Sequence, residues 1–243
     1  MRSIFPPDDE TRMVREFFEN RPAGFFVEVG ANDPVQGSQT WHLEQAGWSG
    51  LLVEPQPDLA EKLRQMRKAK VFAVACSSPR YEGGTLPLHI AGPFSSFDPK
   101  LMVAGVEAGA PIEVPVRTLD SLLSEAGAPV PIDFLSVDVE GHEIDVLSGF
   151  DFARWRPRLI LLEDHVVNLT KHHFMRRAGY KLVRRTGLNA WYVPPERAFA
   201  LGWFGRWQML RKYYLGLPFR ILRDFLRRLR GRLRWPAVPH SGA

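Results

Sequence analysis

The chain alternates between short apolar runs and longer stretches with helical periodicity. Five of the apolar runs have the length and character of buried strands. These runs are FFVEVG (25–30), GLLVEP (50–55), KVFAVACS (70–77), IDFLSVDVEG (132–141) and RLILLED (158–164). The segments between them are more polar, so the pattern predicts strands that alternate with helices.

Helices are predicted in most of these intervening segments. In residues 8–20, Met13, Val14, Phe17 and Phe18 recur at helical spacing and define an amphipathic helix. Further helices are predicted at 39–47, 57–68, 118–127, after 141 as far as Leu147, and at 168–178.

Three remaining segments predict other structure. Residues 112–119 alternate apolar and polar positions, which indicates an edge or half-buried strand. Residues 180–195 are typical of a terminal hairpin that turns near Gly187-Leu188-Asn189, and residues 78–111 predict strand fragments with a long loop. Strands alternating with helices predict an α/β fold with a mostly parallel, twisted sheet and right-handed crossovers.

The charge of the chain divides it into two parts. The segment 196–235 holds eleven Lys/Arg and two acids, a net charge of +9, which leaves −4 for the remainder of a chain whose total is +5. We expect a domain at residues 1–195 and a basic, aromatic, amphipathic helical tail at 196–243.

The tail pattern favours a surface that binds something. Residues 219–235 alternate an apolar face with an arginine face, and Trp203 and Trp207 lie upstream. This arrangement suits an anionic membrane surface, and binding of nucleic acid or packing on the protein body are the alternatives.

Several classes of protein are disfavoured by composition. The single cysteine, Cys76, excludes an internal disulfide and a cysteine-rich metal site. The N-terminus lacks the apolar run of a signal peptide, and no stretch reaches about 18 uninterrupted apolar residues. We expect a cytoplasmic protein, with peripheral association on the inner membrane face as an open alternative.

Polar residues collect where the predicted strands end, which is where doubly wound sheets bind ligands. Gly30 lets the backbone turn tightly near a ligand, and Glu54 can accept two hydrogen bonds from a ribose diol. The first loop lacks G-x-G-x-x-G, and Glu28 and Asp33 would repel a pyrophosphate. A nucleoside with a cationic end, such as S-adenosylmethionine, fits these residues better than a dinucleotide.

Four motifs carry a family resemblance. FFVEVGANDPVQGSQT, GLLVEPQP, VPVRTLDSLL and DFLSVDVEGHEIDVLSGFD occur in this order and resemble the FkbM methyltransferases over residues 24–165. The resemblance implies a Rossmann-like class I methyltransferase fold whose terminal hairpin joins the sheet. It also implies an S-adenosylmethionine site built from Glu28, Gly30, Asn32, Glu54, Ser77, Asp138 and Glu140, with Asp138 and residues 140–143 flanking the transferred methyl group. The first loop departs from the family form GANxGxxS.

Methyl transfer to a hydroxyl requires that the hydroxyl proton be removed, by a base or with a metal. His142 and His165 follow the fourth and fifth apolar strands and are the predicted bases, with Asp138 as a further catalytic residue. Magnesium is the alternative, because Asp138, Asp164 and His165 resemble the metal ligands of catechol-type O-methyltransferases. Ser95-Ser96-Phe97 resembles a serine-rich loop of the family and is a candidate wall of the acceptor pocket.

These observations lead to one expected function and two alternatives. We expect an O-methyltransferase that acts on a hydroxyl of a glycan, a glycolipid precursor or a natural product. An RNA methyltransferase would use the basic tail to bind its substrate. A catalytically inactive, membrane-associated scaffold would keep the fold without turnover.

Overall fold

The computed structural model describes residues 7–91, 95–97, 110–166, 168–197 and 203–232. Within them lie ten strands. They are β1 (Phe25–Val29), β2 (Ser49–Val53), β3 (Lys70–Phe72), β4 (Ala75–Cys76), β5 (Thr85–Leu88), β6 (Ile112–Arg117), β7 (Phe134–Val137), β8 (Leu159–Glu163), β9 (Lys181–Thr186) and β10 (Asn189–Val193). The five predicted apolar runs all contain strands.

Seven of these strands form one sheet in the order β3-β2-β1-β7-β8-β10-β9. The pairs from β3 to β8 are parallel, and β10 runs antiparallel to both β8 and β9. The predicted α/β fold with a mostly parallel sheet and a terminal antiparallel hairpin is therefore confirmed. The second strand of the hairpin enters the sheet between β8 and the first.

The prediction of one continuous strand over 70–77 is wrong. β3 pairs with β2 in the large sheet, whereas β4 pairs with β6 in a separate sheet of order β4-β6-β5. The chain changes sheets between Phe72 and Ala75, and Ala75 is buried against Val114 and Val116 of β6. β6, predicted as an edge or half-buried strand, is half-buried and is the central strand of this small sheet.

The helices cover both faces of the large sheet. They are α1 (Pro7–Phe17), α2 (Trp41–Gln45), α3 (Pro57–Met66), α4 (Leu119–Ala126), α5 (Glu143–Ser148), α6 (Phe152–Trp155), α7 (Thr170–Arg177), α8 (Trp203–Met209) and α9 (Leu217–Arg232). A 3₁₀ turn at Pro79–Tyr81 and a π-helical segment at Leu210–Leu215 complete the described elements. Thr118 caps α4 by accepting a hydrogen bond from the Ser121 amide.

Two apolar cores result, one on each face. The first packs Val27 and Val29 of β1 against Leu122 of α4. The second packs Val14 of α1 and Leu63 of α3 against the opposite face of the sheet. Burial of each such aliphatic side chain contributes about 1.5–3 kcal/mol to the stability of the fold. This packing holds the sheet, and with it the edge where the strands end, in a fixed position. Among the described residues, no helix combines the length and the apolar character needed to cross a bilayer.

Candidate active site

A cleft lies at the carboxyl edge of the large sheet and contains about 520 Å³ that protein atoms do not fill. Its polar wall comes from the segments that follow β1, β2 and β7, and from the short stretch at 95–97. The polar and glycine residues of this wall are Gly30, Asn32, Glu54, Gln56, Ser95, Asp138 and Glu140. The apolar wall includes Val74, Ala75, Cys76, Leu88 and Phe97. Among the described lining residues there are three acids and neither lysine nor arginine.

Gly30 is required by close backbone contact as well as by its conformation. Its φ is +84°, and a Cβ built on it would lie 1.8 Å from the Asp138 carbonyl oxygen. Its amide donates to the Val53 carbonyl at 2.9 Å. The end of β1 is thus locked between β2 and β7, with no room for a side chain.

Glu54 lines the cleft directly after the end of β2. Its Oε2 accepts a hydrogen bond from the Asn32 amide at 2.9 Å, and its Oε1 accepts one from the Gln56 amide at 2.9 Å. The side chain is buried, and burial raises its pKa although these two donors oppose the rise. A carboxylate has about four acceptor positions, so Glu54 retains capacity for a ligand hydroxyl in the cleft.

Glu28, a predicted cofactor residue, does not line the cleft. Its carboxylate accepts hydrogen bonds from Ser38 Oγ at 3.0 Å, from the Gln39 amide at 2.7 Å and from Thr40 Oγ1. Arg67 donates to Thr40 Oγ1 at 2.9 Å and completes this buried network. Burial raises the pKa of Glu28, and the donors around it lower the pKa in part. Glu28 therefore shapes the loop between β1 and α2 from inside the protein.

Ser77 and His142 form a pair next to the cleft. Ser77 Oγ and His142 Nε2 are 2.9 Å apart, and the ring of Phe97 lies 5.1 Å from the imidazole, centroid to centroid. Burial lowers the pKa of His142, while Asp145, 3.7 Å from Nδ1, opposes the shift. Phe97 lines the cleft, but neither member of the pair does.

Three acids crowd together where β7 and β8 end. The Asp138 carboxyl is hydrogen-bonded to Glu163, and burial raises its pKa well above the ordinary value, with Glu163 and Glu140 adding to the rise. Burial and the charge of Glu163 raise the pKa of Glu140 to about 7. Glu143, fully buried beside them, is paired with Lys171 at 2.6 Å.

His165 joins this cluster from the loop after β8. Its Nε2 lies 3.2 Å from Glu163 Oε1, and this hydrogen bond is the largest of the effects that raise its pKa. One ligand atom from each of Glu140, Glu163 and His165 falls within 4.8 Å of the others. That set of two carboxylates and one imidazole suits a divalent cation as well as a relayed proton.

Asp164, a predicted metal ligand, is directed elsewhere. Its Oδ2 accepts a hydrogen bond from Tyr213 Oη at 3.0 Å and lies 3.5 Å from Arg185 Nη1. The structure brings Glu163 rather than Asp164 to Asp138 and His165. Val137 of β7 pairs with Leu162 of β8, so the next residues along the two strands, Asp138 and Glu163, are also neighbours. The sequence alone does not give this register.

The sequence profile of the Methyltransferase FkbM domain matches residues 28–182. A solved structure that matches the chain is the crystal structure of a methyltransferase from Geobacter sulfurreducens. It has a TM-score of 0.39 and 15% identity, covering 76% of this chain and 77% of that chain. No curated protein sequence matches. The profile match includes all three acids of the cleft wall.

Proposed function

Because the chain belongs to the FkbM methyltransferase family, we propose that it transfers a methyl group from S-adenosylmethionine to a hydroxyl oxygen. The observation that carries this proposal is the composition of the cleft wall, whose described residues include three acids and no basic side chain. A pyrophosphate would find no cation there, whereas acids suit a ligand with a sulfonium and an ammonium group.

The residues present fit that cofactor. Glu54 keeps acceptor capacity for the ribose hydroxyls, and Gly30 leaves backbone without a side chain beside the cleft. Val74, Ala75 and Leu88 offer an apolar wall for a purine ring. When bound, S-adenosylmethionine supplies a methyl group activated by its positively charged sulfur.

The chain's own chemical task is to remove the acceptor's proton. We assign this task to the cluster of Glu140, Glu163 and His165, because Glu140 lines the cleft and the other two lie within reach behind it. A divalent cation held by the same three side chains would lower the hydroxyl pKa instead. His142 is the alternative base; it is hydrogen-bonded to Ser77 and contacts Phe97, which lines the cleft, but it does not line the cleft itself.

The first experiment tests the cofactor. Glu54→Ala should weaken S-adenosylmethionine binding by about 1.5–3 kcal/mol, the loss of a charge-assisted hydrogen bond. Titration calorimetry measures this directly, with circular dichroism as the check on folding. Absence of binding by the intact protein, or an unchanged affinity in a folded variant, contradicts the proposal.

The second experiment tests the proton. Incubation with methyl-labelled cofactor and a cell extract, followed by separation into lipid-linked glycan, RNA and small-molecule fractions, identifies the acceptor class. With that acceptor, Glu163→Gln should lower turnover by about 10²–10⁴-fold and leave cofactor affinity nearly unchanged. His142→Ala is the matched comparison, and a larger loss there moves the base to His142.

Loss of activity in EDTA and recovery with magnesium would favour the cation. Label in RNA alone would support the RNA methyltransferase instead.

Among hydroxyl acceptors, we propose a glycan, a glycolipid precursor or a natural product. RNA is a weaker candidate, because the described wall of the cleft has three acids and no basic side chain that would hold a phosphate group. A scaffold without turnover is also less favoured, because Gly30, Glu54 and the acids after β7 are all present and assembled in one cleft.

A further inference from the structure

Hydrogen bonds from three side chains fix the segment at residues 203–232 to the protein body. Tyr213 is buried and donates to Asp164 at 3.0 Å, and Lys212 Nζ donates to the carbonyl oxygen in the β9–β10 turn at 3.1 Å. Arg220 Nε donates to the Val166 carbonyl at 2.9 Å. These bonds set which side of α8, the π-helical segment and α9 faces outward.

Most of the described side chains that this segment exposes are apolar. Trp203 is 80% exposed and Phe219 is 75% exposed, values far above those of ordinary apolar side chains. We call the exposed apolar side chains of this segment the tail surface: Trp203, Trp207, Leu210, Tyr214, Leu215, Phe219, Ile221, Leu222, Phe225 and Leu226. An open groove in the same segment is lined by Tyr214, Leu217, Ile221, Leu222 and Phe225. Isolated exposed apolar residues are common, but a contiguous set indicates a binding surface.

The same segment is strongly basic. Residues 203–232 contain nine Lys/Arg and one acid, Asp224, a net charge of +8. Arg206, Arg211 and Arg223 are exposed among the apolar side chains. A partner that binds the tail surface must therefore combine negative charge with an apolar region into which side chains can insert.

We infer that the tail surface docks this chain on an anionic lipid bilayer. The headgroup region supplies negative charge for the arginines, and the acyl boundary accepts the aliphatic side chains. Trp203, Trp207 and Tyr214 have the amphipathic rings that prefer this interface. A nucleic acid would satisfy the arginines but leave Ile221, Leu222 and Leu226 without an apolar partner. A second copy of the chain would bring one charge of +8 against another.

The docking surface is joined to the candidate active site by short connections. Tyr213 and Arg220 bind Asp164 and Val166, the residues on either side of His165. His165 in turn contacts Glu163 of the acid cluster. Docking thus holds the loop that carries His165 at a fixed position relative to the membrane. The docking itself does not depend on the proposed methyl transfer.

The test is flotation of the full chain with vesicles of phosphatidylcholine alone or with added phosphatidylglycerol, in the absence of cofactor. The intact protein should float with the anionic vesicles, and a fraction should remain bound in high salt because apolar side chains are inserted. Replacing Arg206, Arg211 and Arg223 by glutamine should lower partition on the anionic vesicles about a hundredfold, since each basic residue contributes on the order of fivefold.

A second variant tests insertion. Trp203, Phe219 and Phe225 replaced by serine should lose at least tenfold in partition, most clearly in high salt. Serine at Met66 and Val130, apolar residues that are exposed elsewhere on the body, is the control and should leave partition unchanged. If circular dichroism shows that the serine variant does not fold, flotation of the glutamine variant and of the intact protein still tests the docking.

Four results would overturn the inference. They are an intact protein that stays unbound on anionic vesicles at low salt, an RNA oligonucleotide that binds more tightly than those vesicles, a dimer in light scattering that protects the tail surface, and control substitutions that weaken partition as strongly as the tail variants. Failure of docking would leave cofactor binding untouched, so the two proposals fall separately.

Discussion

Two groups of acids end strands at the same edge of the sheet, and their surroundings differ. Glu28 and Glu54 receive hydrogen bonds from hydroxyl groups and backbone amides, which partly offset the effect of burial on their pKa values. Around Asp138, Glu140 and Glu163 the nearest groups include other carboxyls, and for Asp138 and Glu140 these add to the effect of burial.

The difference separates a fixed half of the cleft from a reactive half. Acids surrounded by donors hold loops in one geometry, which is what a binding site requires. Burial and neighbouring carboxyls raise the pKa values of Asp138 and Glu140, whereas at Glu163 the effect of burial is outweighed by its hydrogen-bonded and charged neighbours, His165 first, and the pKa is lowered. Such a group can exchange protons or take up a cation near neutral pH, which is what proton removal requires. This contrast supports the proposal that Glu54 serves cofactor binding and that the cluster after β7 and β8 serves proton removal.

The largest effect should come from the glycine where the two halves meet. Gly30→Ala should lower the free energy of unfolding by about 3 kcal/mol or more, because the new Cβ would overlap the Asp138 carbonyl at 1.8 Å. Gly37→Ala is the matched control, since its φ is +78° but nothing lies within 4 Å of a built Cβ. That control should lose only about 1–2 kcal/mol. Urea denaturation measures both, and equal losses would show that conformation alone matters at Gly30.

The next effect should be found in the donor-rich group. Glu28→Gln should lower the free energy of unfolding by about 2 kcal/mol, because an amide NH₂ would face the donors of Ser38, Gln39 and Thr40. The same change at exposed Glu61 of α3 is the control and should stay within about 0.5 kcal/mol. A neutral result at Glu28 would mean that its carboxyl is already protonated in the folded protein.

Much of the fold and part of the candidate site were predictable from the sequence. Short apolar runs predicted five strands of the large sheet, and helical spacing predicted the buried Val14 of α1 and the buried Phe18 directly after that helix. Gly30, Asn32 and Glu54 were predicted as cofactor residues, and the structure brings all three to the cleft. Local pattern carries this information because strand ends and tight turns are short-range features.

The reactive half was harder to predict because it depends on strand register. Choosing Glu163 over Asp164 requires knowing that Val137 pairs with Leu162, a contact between residues 25 apart in sequence. The change of sheet after Phe72 depends on β6, which lies about 40 residues further along the chain. The inward direction of Glu28 likewise depends on Arg67 and the loop at 38–40.

The smallest expected effect on stability is a gain rather than a loss, and it concerns the crowded acids after β7 and β8. Glu140→Gln should raise the free energy of unfolding of the cofactor-free protein at pH 7.5 by about 0.5 kcal/mol, or about 1–2 °C in Tm. The gain is small because solvent screens a half-exposed side chain. An acid whose pKa is about 7 when folded and 4.5 when unfolded makes stability fall as pH rises through that window. The gain should therefore shrink as the pH falls to 4.5, where the folded carboxyl is protonated and the unfolded one is half protonated.

Thermal melts of the two proteins at pH 4.5, 6 and 7.5 measure this pattern, with the same change at Glu113, an exposed residue of β6, as the control. Magnesium at neutral pH sharpens the result. If the cluster binds the cation, magnesium should stabilise the intact protein and leave the Glu140→Gln variant less affected. A variant that is less stable than the intact protein at pH 7.5 without magnesium would mean that the charge of Glu140 is compensated in the folded protein. The contrast between the two groups of acids would then be lost.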